Sequence, residues 1–219
     1  MVKIYIVRHG EAAGNLKKTL QGRTDCDISE DGAKQLLYLK ERFSNIAVDK
    51  AYSSPLIRAR KTAEAAVSGR GIEVVTDNRF VELDCGVLDG KPFEDIFRDY
   101  PWFLDVWDNR LWEFSPEGGE TMSEVYDRVW EGLCDVAKNP DNEGKTVLIA
   151  SHGAAIRNLC CRLIFNDIKM LCYTDWACNT AVTLVTYDNG EFKLEFLNDA
   201  SHLPENLIKT SRLLSKKEL

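Results

Sequence analysis

The stretch "IVRHGEAAGN" (residues 6–15) begins with an apolar run that ends abruptly in an arginine, a histidine and a glycine. A similar stretch, "LIASHGAAIR" (residues 148–157), places His152 and Gly153 directly after another apolar run. The chain has three histidines, so two of them, His9 and His152, share one local setting. Short apolar runs bounded by glycine indicate buried strands. Each of these two histidines is therefore expected at the carboxyl end of a strand.

Outward from these stretches, segments with strand and helix patterns alternate along the chain. Strands are predicted at residues 3–7, 49–54, 72–76 and 146–151, and a hairpin with a tight Asn189-Gly190 turn at residues 181–196. Helices are predicted after Ser29, from Pro55 with Ser54 as the cap, over residues 122–138 and from about Ala154. This alternation predicts an α/β fold, a three-layer sandwich with a mostly parallel central sheet and helices on both faces. The whole chain, residues 1–219, is expected to form a single domain.

Four polar residues follow the predicted parallel strands. His9 follows the first strand, and Arg58 lies in the first turn of the helix after the second. Glu82 follows the third strand after a short loop, and His152 comes directly after the fourth. Ligands of such sheets bind beyond the carboxyl ends of the strands. All four residues are therefore predicted at one edge of the sheet, in one site.

Two connections are longer than simple turns require. Residues 10–28 link the first strand to the first predicted helix. Residues 89–116 are rich in acids and aromatics and hold three of the five tryptophans. The second segment has two interpretations: a small inserted cap over the site, or a helical excursion that packs its own small core. The sequence leaves both open.

Composition narrows the classes of partner. The formal charge of −7 argues against nucleic acid and against an anionic membrane surface, so an anionic ligand needs a local cationic site. Seven cysteines without a CxxC pair indicate reduced thiols and a cytoplasmic location. No signal peptide is expected, because Met1 leads directly into a strand pattern, and no apolar run approaches transmembrane length. Whether the chain forms a homodimer stays open.

The candidate residues suit phosphoryl transfer better than metal or serine-hydrolase chemistry. Arginines beside two histidines and one glutamate would repel a metal ion, so no metal or other cofactor is expected. A serine hydrolase would need a G-x-S-x-G elbow, which the sequence lacks. Arg8 and Arg58 offer planar cations for phosphate oxygens. One histidine can then be the nucleophile and the other a hydrogen-bond donor, while Glu82 can be the acid if its surroundings keep it protonated.

Several blocks in order resemble the histidine phosphatase superfamily, specifically its phosphoglycerate-mutase-like branch. The resemblance extends from residue 3 to about residue 203 and rests on "VRHGE" with Asn15, "QG" (21–22), "SSPLIRARKTAE", "ELDCGVLDGKPFEDI", "PEGGET", "LIASHGAAIRNL" and "LNDASHL". It implies a phosphohistidine enzyme without metal. His9 would be the nucleophile, Arg8, Arg58 and His152 would hold the phosphate, and Glu82 would donate a proton and then activate water. Further substrate or phosphate contacts would come from Asn15, Gln21, Gly22, Arg60 and Gly153.

The sequence also departs from the family pattern. Ala12 stands where serine or threonine is usual, and Lys61 stands where glutamine is common. His202 is expected to form a hydrogen bond within its own "NDASHL" turn.

Three functions follow from the resemblance. The leading one is a phosphatase for small phosphate monoesters, whose partner would be a small phosphorylated metabolite. The alternatives are a cofactor-dependent phosphoglycerate mutase and a non-catalytic phosphate-binding protein. The mutases of this family carry extra residues around the cap and at the C-terminus, whereas this chain is compact.

Overall fold

The computed structural model describes residues 1–16 and 18–208. Its centre is a six-stranded sheet with the strand order β3-β2-β4-β1-β5-β6. The strands are β1 (Val2–Arg8), β2 (Lys50–Ser53), β3 (Val74–Thr76), β4 (Thr146–Ser151), β5 (Val182–Asp188) and β6 (Glu191–Asp199). Strands β1 to β4 run parallel, whereas β5 is antiparallel to β1 and β6 is antiparallel to β5. The predicted mostly parallel sheet is confirmed.

Helices cover both faces of this sheet, as predicted. They are α1 (Ala13–Leu16), α2 (Glu30–Phe43), α3 (Ile57–Ala66), α4 (Phe93–Asp99), α5 (Phe103–Asn109), α6 (Met122–Lys138) and α7 (Gly153–Phe165). Successive side chains of a strand point to opposite faces, so Ile6 and Val7 of β1 belong to two separate hydrophobic clusters. Helices α2 and α3 pack on the face of Val7, and α6 and α7 pack on the face of Ile6.

Local signals account for the start of α2, the end of α6 and the hairpin turn. The Ser29 hydroxyl accepts a hydrogen bond from the Gly32 N–H at 3.0 Å and caps α2. Helix α6 ends at Lys138, directly before the predicted Asn139-Pro140 stop. In the hairpin, Asn189 and Gly190 take φ values of 49° and 89°, which a tight turn of this kind requires.

The predicted start of α3 is wrong. The helix begins at Ile57 with Leu56 at its N-cap position, and no side chain caps it. The Ser54 N–H donates to the Ala150 carbonyl at 3.0 Å, so the chain is still paired with β4 at this residue. The turn into the helix therefore falls after Pro55, and the Ser54 hydroxyl is directed to another partner.

His202 also differs from the prediction. Its ring lies between Arg42 Nη1 at 3.1 Å and Thr180 Oγ1 at 3.2 Å. It therefore connects α2 to the chain just before β5 and does not close its own turn.

The segment 89–116 packs into the main core. Ile96, Phe103, Leu111 and Phe114 are buried in the same hydrophobic cluster that α6 and α7 share. The segment therefore does not fold around a small core of its own.

Two further properties concern the described part of the chain as a whole. All seven cysteines lie within it, and each is a free thiol. Among its helices, none is both long and apolar enough to cross a membrane.

Candidate active site

His9 lies directly beyond β1 and is buried. Its Nδ1 is 2.7 Å from the Gly10 carbonyl oxygen, and because a carbonyl can only accept, Nδ1 carries the proton. The lone pair is then on Nε2. Burial lowers the pKa of His9 well below its usual value, and the nearby charges of Arg58 and Arg8 lower it further. His9 is therefore a neutral imidazole with one defined nucleophilic nitrogen.

His152 follows β4 and is also fully buried, with its ring centroid 5.0 Å from that of His9. Its Nε2 is 2.7 Å from the Ser54 hydroxyl oxygen, whereas its Nδ1 has no hydrogen-bond partner. Burial is the main cause of a pKa well below the usual value, and Arg58 lowers it further. Like His9, His152 is neutral in the folded chain.

Ser54 determines which nitrogen of His152 carries the proton. Its oxygen accepts a hydrogen bond from the Leu56 N–H at 3.3 Å, and among the described residues His152 Nε2 is the acceptor that its own O–H reaches, at 2.7 Å. The proton of the neutral ring is then on Nδ1. A buried N–H without an acceptor is costly, and a phosphate oxygen would supply the missing acceptor.

Two buried arginines provide the positive charge of the site. Arg58 donates from Nη1 to the Thr24 carbonyl at 2.9 Å and from Nη2 to the Gly22 carbonyl at 2.8 Å, while its buried Nε has no partner. Arg8 donates from Nη1 to the Ala177 carbonyl. Burial lowers the pKa of Arg8 to about 10, so the side chain stays protonated at neutral pH. Both guanidinium groups are held in place by backbone carbonyls.

Glu82, which follows β3, completes the cluster, and its carboxylate lies at the N-terminal end of α7. Its carboxylate accepts hydrogen bonds from the backbone N–H groups of Leu83 at 2.9 Å, Ala155 at 3.1 Å and Ala154 at 3.2 Å. These three donors hold the carboxylate in one position beside the two histidines.

Electrostatic coupling shows that these five side chains lie together. The charge of Glu82 acts on both Arg8 and Arg58, and the charges of both arginines act on both histidines. Two cations thus face one carboxylate, which leaves the cluster suited to an anion. The strands bring together the residues that the sequence predicted at one edge of the sheet.

A family model for the histidine phosphatase superfamily (branch 1) matches residues 4–200. This chain belongs to the histidine phosphatase superfamily. The match includes residues of all six strands and all five clustered side chains, and it confirms the family that the sequence blocks indicated.

Individual relatives include phosphatases and a mutase. "Phosphoserine phosphatase 1" of Hydrogenobacter thermophilus is 30% identical over 215 residues, which are 98% of this chain and 100% of the relative. "Probable phosphoglycerate mutase GpmB" of Salmonella choleraesuis is 31% identical over 156 residues, 71% of this chain and 72% of the relative. The solved structure "Bacillus stearothermophilus YhfR" is similar with a TM-score of 0.85 and 28% identity, and the match covers 92% of this chain and 99% of that chain.

The residues predicted as further substrate contacts have mixed surroundings in this histidine phosphatase. Gly22 supports the site through its backbone: its carbonyl holds Arg58, and its N–H donates to Asp89 Oδ1 at 2.8 Å. Asn15 Oδ1 accepts a hydrogen bond from the Ala12 N–H at 2.9 Å, at the start of α1. Gln21 Oε1 is buried without a partner.

Arg60 is the predicted contact that the structure places away from the cluster. It is two residues beyond Arg58 on α3, about 200° around the helix. Since Arg58 is buried, Arg60 is on the exposed side.

Gly153 is the first residue of α7 and borders the site. A methyl group at this position would lie 3.4 Å from both Arg8 Cζ and Trp176 Cζ3. Trp176, which the sequence reasoning missed, is therefore a neighbour of the phosphate-binding residues. It stacks on Trp107 of α5, with centroids 5.8 Å apart and an interplanar angle of 12°. This stack connects the segment 89–116 to the wall of the site.

Two more residues of the site were missed, Ser54 and Arg128. The local pattern predicts Ser54 as a helix cap. Its contact with His152 joins residues 98 apart in the sequence, which a local pattern does not indicate. Arg128 lies between apolar positions of α6 and reads as an ordinary polar residue of an amphipathic helix. No local pattern signals either contact. Among residues 1–16 and 18–208, no group of three His, Cys, Asp or Glu side chains is arranged to hold a metal ion.

Proposed function

We propose that this histidine phosphatase hydrolyses small phosphate monoesters through a phosphohistidine at Nε2 of His9. The observation that carries the proposal is the hydrogen bonding of the two rings. The Gly10 carbonyl leaves His9 Nε2 as a lone pair, and the Ser54 hydroxyl leaves His152 Nδ1 as a donor without an acceptor. One ring can thus attack phosphorus while the other donates to a phosphate oxygen.

In the first step the His9 Nε2 lone pair forms a P–N bond while the ester P–O bond breaks. The leaving oxygen takes a proton from Glu82. Glu82 receives this proton from the ester, which enters as a monoanion and becomes a dianion when the proton has moved to the carboxylate. Arg8 and Arg58 stabilise the negative charge that spreads over the other phosphate oxygens.

In the second step water attacks the phosphohistidine. Glu82, now a carboxylate, takes a proton from the water as the new P–O bond forms and the P–N bond breaks. The electron pair of that bond returns to His9 Nε2, and Nδ1 keeps its proton on the Gly10 carbonyl. The proton on Glu82 leaves with the product as monoanionic inorganic phosphate, which restores the starting enzyme. Two arginines supply the positive charge and one neutral histidine donates a hydrogen bond, so no metal is needed in either step.

The surroundings of the segment 89–116 favour hydrolysis over mutase activity. A mutase must hold a second anionic group while the intermediate reorients. The basic side chains of this segment already have partners: Arg98 pairs with Asp95 and Asp99, Arg110 pairs with Asp105 and Glu113, and Lys91 contacts Tyr100. The phosphatase relative also matches 98% of this chain, against 71% for the mutase relative.

A phosphate-release panel tests this proposal. The purified chain is incubated with phosphoserine, sugar phosphates, nucleotides and p-nitrophenyl phosphate, and inorganic phosphate is measured. Turnover of at least one monoester that His9→Ala lacks is the expected result. Fast conversion of 3-phosphoglycerate to 2-phosphoglycerate with catalytic 2,3-bisphosphoglycerate, and little phosphate release, would favour the mutase. Phosphate binding without any turnover would favour the non-catalytic protein. The substrate of the proposed phosphatase is a small cytoplasmic metabolite.

A further inference from the structure

Arg128 on α6 holds the backbone of the segment that carries Glu82. Its Nη1 donates to the carbonyl of Arg79 at 2.9 Å and to that of Val81 at 2.8 Å. Its Nη2 donates to the carbonyl of Glu82 itself at 3.1 Å. These three hydrogen bonds to one short segment fix the position of the Glu82 backbone, and with it the Cα from which the side chain extends.

Glu120 aligns this arginine and extends the connection beyond Glu82. Its Oε1 accepts from Arg128 Nε at 2.8 Å, and its Oε2 accepts from Arg128 Nη2 at 2.9 Å. The same carboxylate accepts from the Asp84 N–H at 3.0 Å and pairs with Arg23 at 3.0 Å. The Arg128–Glu120 pair therefore forms hydrogen bonds with the backbone on both sides of Glu82.

The pair is well shielded from water, which makes its geometry difficult to replace. The side chains of Arg128 and Glu120 are 16% and 18% exposed. The planar guanidinium offers five donors in a fixed arrangement, whereas a lysine ammonium cannot reach the same acceptors together. The Arg128→Lys substitution would keep the charge and lose most of these contacts.

We propose that Arg128 is a positioning residue for proton transfer by Glu82. Two independent sets of bonds hold Glu82: the N–H groups of Ala154 and Ala155 hold its carboxylate, and Arg128 holds its backbone. A proton donor must lie within hydrogen-bond reach of the leaving oxygen, and both anchors are needed to keep it there. Arg128 itself contacts the backbone and Glu120. The proposal rests on the phosphatase function proposed above.

Leaving-group dependence distinguishes this role from a general structural one. An alkoxide leaves slowly without a proton, whereas p-nitrophenolate leaves unaided. Loss of the acid therefore lowers kcat/KM for an alkyl phosphate far more than for p-nitrophenyl phosphate. A variant that merely folds less well lowers both by the same factor, because the fraction of active enzyme is common to both assays.

The experiment compares kcat/KM for p-nitrophenyl phosphate and for the best alkyl phosphate of the panel. The variants are Glu82→Gln, Arg128→Lys, Glu120→Gln and the double variant Glu82→Gln/Arg128→Lys. Arg162→Lys is the matched control, because Arg162 is 24% exposed, pairs with Asp127 and does not contact the Glu82 segment. Glu120→Gln keeps the test valid if Arg128→Lys fails to fold.

We expect Arg128→Lys to lower kcat/KM about tenfold for the alkyl phosphate and less than about threefold for p-nitrophenyl phosphate. Glu120→Gln should change the ratio in the same direction, and Arg162→Lys should leave it unchanged. In the Glu82→Gln background, Arg128→Lys should not change the ratio further.

Equal losses on both substrates in Arg128→Lys or, if that variant does not fold, in Glu120→Gln would overturn the inference, as would a further change of the ratio in the double variant. If Glu82→Gln itself loses both activities equally, the acid role fails and the positioning role fails with it. Failure of the phosphatase proposal looks different, since the wild-type chain would then release no phosphate from any monoester.

Discussion

Replacing Ser54 with alanine removes one hydroxyl from the buried part of the site. That hydroxyl accepts from the Leu56 N–H at 3.3 Å and lies 2.7 Å from His152 Nε2. Without it, no other residue in the described part of the chain holds the proton of neutral His152 on Nδ1. The ring can then carry its proton on Nε2, where it cannot serve the phosphate oxygen that Nδ1 is placed to meet.

The expected effects follow from the bonds that are lost. Leaving a buried donor or acceptor unsatisfied costs about 1–3 kcal/mol, so the free energy of unfolding should fall by that amount. A hydrogen bond to a charged group contributes about 1.5–3 kcal/mol, and about 1.4 kcal/mol corresponds to a factor of ten. If the Nδ1 donor is largely lost, kcat/KM should fall by about ten- to a hundredfold.

Ser53→Ala is a matched control for this prediction. Ser53 is as buried as Ser54, but its hydroxyl donates to the Ser54 carbonyl at 2.8 Å and is directed away from His152. Both variants should lose stability in urea titrations, and only Ser54→Ala should lose kcat/KM on p-nitrophenyl phosphate. Long-range ¹H–¹⁵N correlations report directly which nitrogen of His152 carries the proton. A wild-type ring protonated on Nε2, or an unchanged kcat/KM in Ser54→Ala, would refute the reasoning.

Four further predictions concern the two histidines and the charge of the site. Rapid quenching with labelled substrate should trap an acid-labile adduct that His9→Ala lacks, and an acid-stable label would contradict a phosphohistidine. Turnover should survive exhaustive chelation, because Arg8 and Arg58 supply the positive charge that Mg²⁺ supplies in kinases; rescue by added metal after a loss would count against this. Because burial keeps the pKa of His9 well below 6.5, kcat/KM should not fall with a midpoint near pH 6.5. The unfolded chain takes up protons on both histidines near that pH and the folded chain does not, so unfolding titrations should show stability decreasing as pH falls below about 6.5.

Much of the fold could be predicted because the decisive signals are local. The strand at Thr146–Ser151 and the end of α6 at Lys138 coincide with the predicted residues, since an apolar run and an Asn-Pro stop act on their own neighbourhood. The order of polar residues after parallel strands was enough to place His9 and His152 together. Which of them attacks came from the family resemblance, and the carbonyl of Gly10 now gives it a physical basis.

The prediction for Ser54 was wrong for a physical reason. A serine before proline and a helix matches a capping pattern, but a cap needs a free hydroxyl at the first turn. Pairing with Ala150 keeps Ser54 on the sheet, beside the end of β4 where His152 begins. The contact with the ring joins residues 98 apart, so only the completed sheet creates it.

Arg128 shows the same limit for the proton-transfer part of the mechanism. Its helix was predicted from an apolar stripe, which describes the buried face and says nothing about what a polar residue beside the stripe contacts. The partner carbonyls follow β3, and the N–H groups that hold the Glu82 carboxylate begin α7. Helices α6 and α7 pack in one hydrophobic cluster. The position of the acid therefore depends on how these two helices pack, and substitutions at their buried interface should change leaving-group dependence even though they lie outside the site.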